Sequence, residues 1–257
     1  MASKFPTEAE IVIVGVGGIV GSMLAYWLTE LGQKDIVGLE KSSVIPSDIA
    51  STAHASDFVY NTTHDKLGNW TTAFSRKFYE DNGFFLKKGG LEICRKDDDV
   101  LWEELKRKVA SGKAFGTNVK LISAAEAKEK FPLLDEESIR GAMWDPDAGL
   151  VTPRSQEVVR FAIESAKEKG TLSTYTDTPA VGFDIENGRI TGVKTDKGTI
   201  KTDKVVIASG IWGSLVGEMA GVKVPLMPVE HPLLFFGPLP EAQGAEDFLV
   251  YPLMRDQ

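Results

Sequence analysis

The sequence has little cysteine and histidine, and it lacks any long uninterrupted apolar run. Its 257 residues include one cysteine, Cys94, which has no partner for an internal disulfide, as is usual in a reducing compartment. The three histidines, His54, His64 and His231, lack the spacing of paired metal ligands, so no metal site is predicted. Neither a signal peptide nor a membrane span is recognisable. We therefore expect an intracellular, cytoplasmic protein.

Basic clusters are also missing. The formal net charge is -8, which argues against nucleic acid as a partner because a phosphate backbone requires clustered Lys and Arg. The run around Ser209 lacks the G-x-S-x-G elbow of hydrolases. With 42% hydrophobic and 26% charged residues, the chain has the composition of one large globular domain or two joined ones.

The most informative feature present is a glycine-rich turn after an apolar strand, IVIVGVGGIVG. Such turns bring backbone N–H groups close to a pyrophosphate and allow close packing of strand and helix. Gly15, Gly17 and Gly21 read G-x-G-x-x-x-G, one residue longer than the usual motif. An alternative frame starts at Val16 and ends Gly18-Ile-Val-Gly21. Either frame predicts a dinucleotide site, for NAD or FAD.

The residues after the turn complete a βαβ pattern. Apolar residues from Val20 to Leu31 recur at helical spacing, and Gly32 is a typical helix stop. A strand over residues 35–40 then ends in Glu40. A carboxylate at this point suits both ribose hydroxyls of a dinucleotide and repels a 2′-phosphate, which disfavours NADP.

The rest of the chain departs from a simple NAD-binding domain. The spacing predicts helices around residues 70–79, 99–110 and 156–169, a β-meander with turns at Asn187-Gly188 and Lys197-Gly198, and a returning strand over residues 204–212. A nucleotide domain with a long insertion, a meander and a returning strand favours a flavoprotein. A plain hairpin followed by a core strand is the alternative for the meander region.

Two histidines are candidates for chemistry. His54 lies in ASTAHAS, a loop of small residues that can approach a ligand closely, although a histidine in a polar loop is more often solvated. His231 lies in the apolar run VEHPLLFF, where a titratable group is either functional or a satisfied core or edge histidine. His64 is predicted to lie in a turn without a role.

The motifs IVIVGVGGIVG, LEKS, STAHAS, GGLEICR, KFPLL, WDPDAGLVTPRS, VVIASGIWG and MPVEHPL occur in this order. In this combination the chain resembles the D-amino-acid-oxidase-like flavoproteins, and among them the dimethylglycine dehydrogenase, dimethylglycine oxidase and sarcosine dehydrogenase branch. The resemblance implies an α/β fold. It comprises a Rossmann-like FAD-binding domain with a β-meander (residues 1–88 and 150–222), interrupted by a β-rich substrate domain (89–149 and 223–257) that is incomplete at its C-terminus.

The resemblance also implies roles for individual residues. In this branch the histidine of STxHA is joined covalently to the 8α-methyl group of FAD, which implies that His54 is the attachment site and that the bound flavin is a stronger oxidant. His231 aligns with a histidine near the amine substrate, where a base favours the neutral amine. The implied cofactor-binding residues are Gly15, Gly17, Gly18 and Gly21 at the pyrophosphate, Glu40 followed by Lys41 at the adenosine ribose, Ser51 and Thr52 near the flavin, and Gly210 and Trp212 in the returning strand.

The implied function is FAD-dependent oxidation of the C–N bond of a small N-methylated amino acid, with hydride transfer to the flavin. Oxygen or an electron-transfer protein would be the electron acceptor, and a eukaryotic chain would lie in the mitochondrial matrix. Relatives continue through further strands, a catalytic tyrosine and often a folate-binding region, none of which this sequence contains. A truncated FAD-binding fragment without activity is therefore one alternative. Another is a D-amino-acid or glycerol-3-phosphate oxidoreductase of the same fold, which STAHAS disfavours.

Overall fold

The computed structural model describes residues 5–230, 232, 234, 240 and 251–256. The strands are β1 (Ile11–Val14), β2 (Ile36–Leu39), β3 (Phe58–Val59), β4 (Phe85–Lys87), β5 (Gly90–Arg95), β6 (Lys120–Ser123), β7 (Ile139–Asp145), β8 (Gly149–Val151), β9 (Leu172–Tyr175), β10 (Ala180–Glu186), β11 (Arg189–Thr195), β12 (Gly198–Lys201), β13 (Val205–Ile207) and β14 (Leu253–Asp256). The helices are α1 (Ile19–Glu30), α2 (Lys66–Asp81), α3 (Asp99–Ala114), α4 (Ala124–Lys130), α5 (Ser155–Glu168) and α6 (Gly213–Met219), and two 3-10 turns span Ser51–His54 and Gly210–Trp212. The longest helices of this described part have 16 residues, and none combines the length and apolar character needed to cross a membrane.

The chain forms two compact units. Unit 1 contains residues 1–55 and 154–233, and unit 2 contains residues 56–153 and 234–257. Residues 56–88 were predicted to belong to the FAD-binding domain, but they lie in unit 2 because β3 and β4 both pair with β8. The division into cofactor and substrate domains stays a prediction.

Unit 1 is built on a parallel sheet with strand order β13-β1-β2-β9. All residues of β1 and β2 are buried, as expected of a parallel sheet that is covered on both faces. Alternate residues supply two separate cores. One joins Val12, Val14, Val37 and Leu39 to the meander and α6, and the other joins Ile11, Ile13 and Ile36 to α1 and α5.

Helix α1 has the predicted type and end but a different buried face. Gly32, at φ +89°, ends it as expected. Val20 and Leu31, both in the predicted apolar series, are 68% and 83% exposed. The buried residues are small, namely Gly21, Ser22, Ala25 and Thr29. Small side chains allow α1 to lie close to its neighbours, which include α5, and hydrophobic periodicity does not report that requirement.

The predicted meander is confirmed. Strands β10, β11 and β12 form an antiparallel sheet in that order. Asn187 and Gly188 both have positive φ, 51° and 76°, as a two-residue type I′ hairpin turn requires.

Unit 2 contains the predicted β-rich region. One sheet has the order β14-β5-β7-β6, with β14 parallel to β5 and the other pairs antiparallel, and β3, β8 and β4 form a second, antiparallel sheet. Helices α2 and α3 include the predicted helical stretches. The mixed α/β fold predicted from the sequence is therefore confirmed.

Candidate cofactor site

The site begins at the turn from β1 to α1, where contacts explain three glycines. A Cβ atom on Gly15, which has φ +95°, would lie 2.6 Å from the carbonyl oxygen of Ala208. A Cβ on Gly17 would lie 2.5 Å from Glu40 Oε2, and one on Gly21 would lie 2.1 Å from the Gly15 oxygen. A Cβ on Gly18 would meet nothing nearer than 3.6 Å. The steric requirement therefore selects the frame Gly15, Gly17, Gly21.

The N-terminus of α1 presents unused donors. The Ile19 N–H donates to Thr52 Oγ1 at 3.0 Å, and the Ser22 N–H donates to the Gly18 oxygen at 3.0 Å. The N–H groups of Gly18 and Val20 have no acceptor among the described residues. Free N–H groups and the helix dipole together attract an anion such as a pyrophosphate.

Glu40 is a buried carboxylate held by neutral donors. It is 6% exposed. Its Oε2 accepts from the Gly17 N–H at 2.9 Å, while Oε1 accepts from the Ser42 N–H at 2.9 Å and from Ser47 Oγ at 3.2 Å. A carboxylate has about four acceptor positions. The structure thus leaves one position for a ligand, where two ribose contacts were expected.

A cavity of about 410 Å³ opens beside this turn. The sequence-predicted residues that line it are Gly15, Gly18, Glu40, Ser51, Thr52, Gly210 and Trp212. Gly17, Gly21, Lys41 and His54 are not among its lining residues. The structure thus brings together most of the predicted set. Gly17 and Gly21 do not line the cavity, but the close packing of the turn requires glycine at both positions.

A smaller cavity of about 200 Å³ shares Gly15, Glu40, Ser209 and Trp212 with the first. Its other walls are largely apolar and include the predicted residue Lys41. Lys41 Nζ lies 4.7 Å from the centroid of the Trp212 ring, within the range of a cation–π contact.

Ser209 is a site residue that sequence reasoning missed. It lines both cavities, and its buried Oγ has no hydrogen-bond partner among the described residues. A buried hydroxyl without a partner is unusual and indicates a ligand or water. The run Ala208-Ser209-Gly210 after β13 was noted in the sequence, and only its glycine was selected. Ser47, which supports Glu40, was also missed because it lies in an irregular loop.

His54 ends the 3-10 turn that begins at Ser51, and it is exposed. Its Nε2 lies 3.2 Å from the main-chain oxygen of Asp48. Ser51 and Thr52 of the same turn line the larger cavity, although His54 itself does not. His231, the predicted catalytic residue, lies outside the described residues.

These features fit a dinucleotide such as FAD. The turn has no room for Cβ atoms at three positions, the N–H groups of Gly18 and Val20 have no acceptor in the described part of the chain, and the Glu40 carboxylate retains one acceptor position. Residues 10–256 match the model of the FAD dependent oxidoreductase family. The chain belongs to this family. The resemblance predicted from its motifs, with FAD as cofactor, is thereby confirmed.

The chain is similar to several amine and amino-acid dehydrogenases. It is 29% identical to human mitochondrial sarcosine dehydrogenase over 239 residues, which cover 88% of this chain and 25% of that protein. It is 28% identical to human mitochondrial dimethylglycine dehydrogenase over 261 residues, covering 99% and 29%. Among solved structures, L-proline dehydrogenase from P. horikoshii has 34% identity and a TM-score of 0.76, covering 85% of this chain and 57% of that one. The chain thus spans roughly a quarter of the length of the two human relatives.

Proposed function

We propose that this chain binds FAD in the two adjoining cavities of unit 1 and serves in oxidation of the C–N bond of a small N-methylated amino acid, of the dimethylglycine or sarcosine type. The observation that carries the proposal is the convergence of free N–H groups, the Glu40 carboxylate and Ser209 on one cavity. The names of the similar dehydrogenases support an amino-acid-like amine as substrate.

Different residues of this chain bind different parts of the cofactor. The N–H groups of Gly18 and Val20, with the α1 dipole, neutralise pyrophosphate charge. The remaining acceptor position of Glu40 takes a ribose hydroxyl. When bound, FAD supplies the two-electron acceptor for a hydride that leaves the carbon next to the amine nitrogen.

Two further roles belong to the proposal. An imidazole nitrogen of His54 would hold the cofactor through the 8α-methyl carbon, and this link would secure the flavin and raise its oxidising power. His231 acts as a base that keeps the substrate amine neutral, because the nitrogen lone pair must be free for hydride to leave.

Flavin binding is tested with the purified chain expressed in the presence of FAD. We expect a flavin absorption spectrum, and we expect the colour to stay with the pellet after acid precipitation. His54→Ala should still bind FAD but release it into the supernatant. A colourless wild-type chain would overturn the proposal, and a wild-type chain that releases its flavin in acid would overturn the covalent bond alone.

Substrate class is tested by anaerobic reduction of the bound flavin. Dimethylglycine and sarcosine should bleach the flavin absorbance faster than glycine, L-proline or D-alanine. Reoxidation by oxygen, compared with an artificial electron acceptor, then distinguishes an oxidase from a dehydrogenase. Bleaching by D-alanine alone would contradict an N-methylated substrate.

A second candidate is an FAD-binding chain that does not turn over substrate by itself. The supporting observation is coverage, since the chain spans 25% and 29% of its two human relatives. In this case the chain would be yellow, but none of the amines would bleach it.

A further inference from the structure

An arginine of the motif WDPDAGLVTPRS contacts the motif STAHAS. Arg154 belongs to the run VTPRS, and its Nη2 donates to the main-chain oxygen of Ala55 at 2.9 Å and to that of Ala53 at 3.4 Å. These two residues lie immediately before and after His54. The half-buried Arg154 therefore hydrogen-bonds to the backbone on both sides of His54, although about a hundred residues separate the two segments in the sequence.

The segment that Arg154 holds has little support of its own. The 3-10 turn Ser51–His54 contains no buried residue. Its local backbone hydrogen bonds run from the Ala53 N–H to Ala50 at 2.9 Å and from the Ala55 N–H to Thr52 at a long 3.4 Å. Short 3-10 turns have poor hydrogen-bond geometry. Distant contacts must therefore fix this turn.

The contacts of the turn divide into two sets. At its start, Thr52 is tied to the N-terminus of α1 through the Ile19 N–H. At its end, the ring of His54 reaches the Asp48 oxygen, and Arg154 holds the flanking carbonyls. Both hydrogen bonds come from the N–H groups of Nη2, which are fixed in the guanidinium plane, whereas the ammonium of lysine rotates freely on a flexible stem. Arg154 thus donates to the main-chain oxygens on both sides of His54.

We propose that Arg154 is a positioning residue for covalent attachment of FAD at His54. This role rests on the proposed function. Attachment replaces the imidazole N–H bond and one methyl C–H bond with a C–N bond, the two electrons and two protons released reduce the flavin, and oxygen reoxidises it. The reaction requires the imidazole to stay beside the methyl carbon, and small displacements of a reacting group slow such steps strongly. Arg154 restricts that displacement.

The test compares Arg154→Gln and Arg154→Lys with Arg160→Gln, a control in helix α5, which begins directly after Arg154. Arg160 is exposed and pairs with Glu157 at 3.2 Å, and within the described residues it donates no hydrogen bond to residues 51–55. Each chain is produced without FAD, mixed with FAD in air, and sampled for acid-stable flavin, total bound FAD and melting temperature. We expect Arg154→Gln to slow the gain of acid-stable flavin by about tenfold or more, with total bound FAD nearly unchanged. Arg154→Lys should recover part of the rate, and Arg160→Gln should match the wild type.

Hydrogen exchange gives a readout that does not depend on the covalent bond. Peptides that cover residues 50–56 should exchange about fivefold faster in Arg154→Gln than in the wild type or in Arg160→Gln. A wild-type rate of attachment in Arg154→Gln would overturn the role of Arg154, whatever the rate of exchange. A parallel loss of total FAD binding and of melting temperature would reduce it to general support of the fold.

Failure of the proposed function gives a different result. If the wild-type chain gains no acid-stable flavin, the covalent step is wrong and the role of Arg154 in it is wrong too. If the wild type gains it and Arg154→Gln gains it equally fast, only the role of Arg154 is overturned.

Discussion

Each of the two units contains a buried glutamate. One is paired with a cation, and the other accepts hydrogen bonds from neutral donors. Glu92 in unit 2 is 1% exposed, and its Oε2 lies 2.6 Å from Lys108 Nζ. Glu40 in unit 1 is 6% exposed and accepts only from N–H and hydroxyl groups, those of Gly17, Ser42 and Ser47. No cation among the described residues pairs with Glu40.

The difference is the one expected between a structural carboxylate and the ligand-binding role proposed for Glu40. The charge of Glu92 is cancelled by a partner that is itself buried, and the pair joins β5 to α3. Glu40 has no cationic partner among the described residues and keeps one acceptor position at the wall of two cavities. Burial alone does not distinguish the two residues. They differ in whether a cation pairs with the carboxylate and in whether a cavity adjoins it.

The largest effect is expected where the ion pair of unit 2 is broken. Lys108→Met leaves the Glu92 charge buried without a partner, which should destabilise the protein by about 3–5 kcal/mol. The double variant Glu92→Gln with Lys108→Met should regain most of this loss, because no unpaired charge remains. Urea unfolding, followed by circular dichroism, measures both. A loss below about 1 kcal/mol in Lys108→Met would show that water reaches the pair.

The next effect concerns the glycine turn. In Gly17→Ala the new Cβ would stand 2.5 Å from Glu40 Oε2 and 2.8 Å from Ser47 Cβ, so it displaces the carboxylate. We expect FAD to bind about a hundredfold more weakly, equivalent to ~2.7 kcal/mol. The measurement is an FAD titration in the His54→Ala background, where binding is reversible.

Gly18→Ala is the matched control for the turn. Its Cβ meets only ordinary contacts at 3.6 Å and 3.7 Å, and a change from Gly to Ala at an N-cap costs about 1 kcal/mol or less. If this variant loses FAD affinity while its stability is unchanged, the added methyl group must contact the bound FAD rather than the protein. Equal losses of stability in both variants would contradict the steric assignment of the frame.

Local patterns predicted much of unit 1. The apolar run of β1, the stop at Gly32 and the Asn187-Gly188 turn are determined by residues near one another in the sequence, and each lies where it was expected. The place of Glu40 directly after the short apolar strand β2 was predicted for the same reason, and its role in binding stays a prediction.

Contacts between distant residues could not be predicted. Ser209 lines the cavity beside the glycine turn, and Arg154 donates to the main-chain oxygens of Ala53 and Ala55. No spacing rule in the sequence predicts either proximity. Strands β3 and β4, with two and three residues, are too short to show a period. Residues 56–88, which the sequence placed in the FAD-binding domain, lie in unit 2, and the division into cofactor and substrate domains stays a prediction.

A smaller effect is expected when the two glutamates lose their charge. Glu40→Gln keeps the shape but turns one acceptor into a donor that faces existing donors, so FAD affinity should fall about tenfold, or ~1.4 kcal/mol. Glu92→Gln should leave FAD affinity unchanged, because Glu92 lies in unit 2 and does not line the cavities of unit 1. The same titration in the His54→Ala background measures both. Equal effects of the two substitutions would remove the distinction between them.

The smallest effect tests whether a cation near Glu40 matters to the cavity without pairing with the carboxylate. Lys41 Nζ lies over the Trp212 ring, and this contact orients a wall that both cavities share. Lys41→Met keeps the apolar stem and removes the charge, so it should weaken FAD binding by about 0.5–1 kcal/mol. Lys34→Met, an exposed lysine elsewhere in unit 1, controls for net charge. If both variants weaken binding equally, Lys41 acts through long-range attraction to the pyrophosphate, and raised salt should abolish the effect. If only Lys41→Met does, Trp212 needs the ammonium group to hold its place.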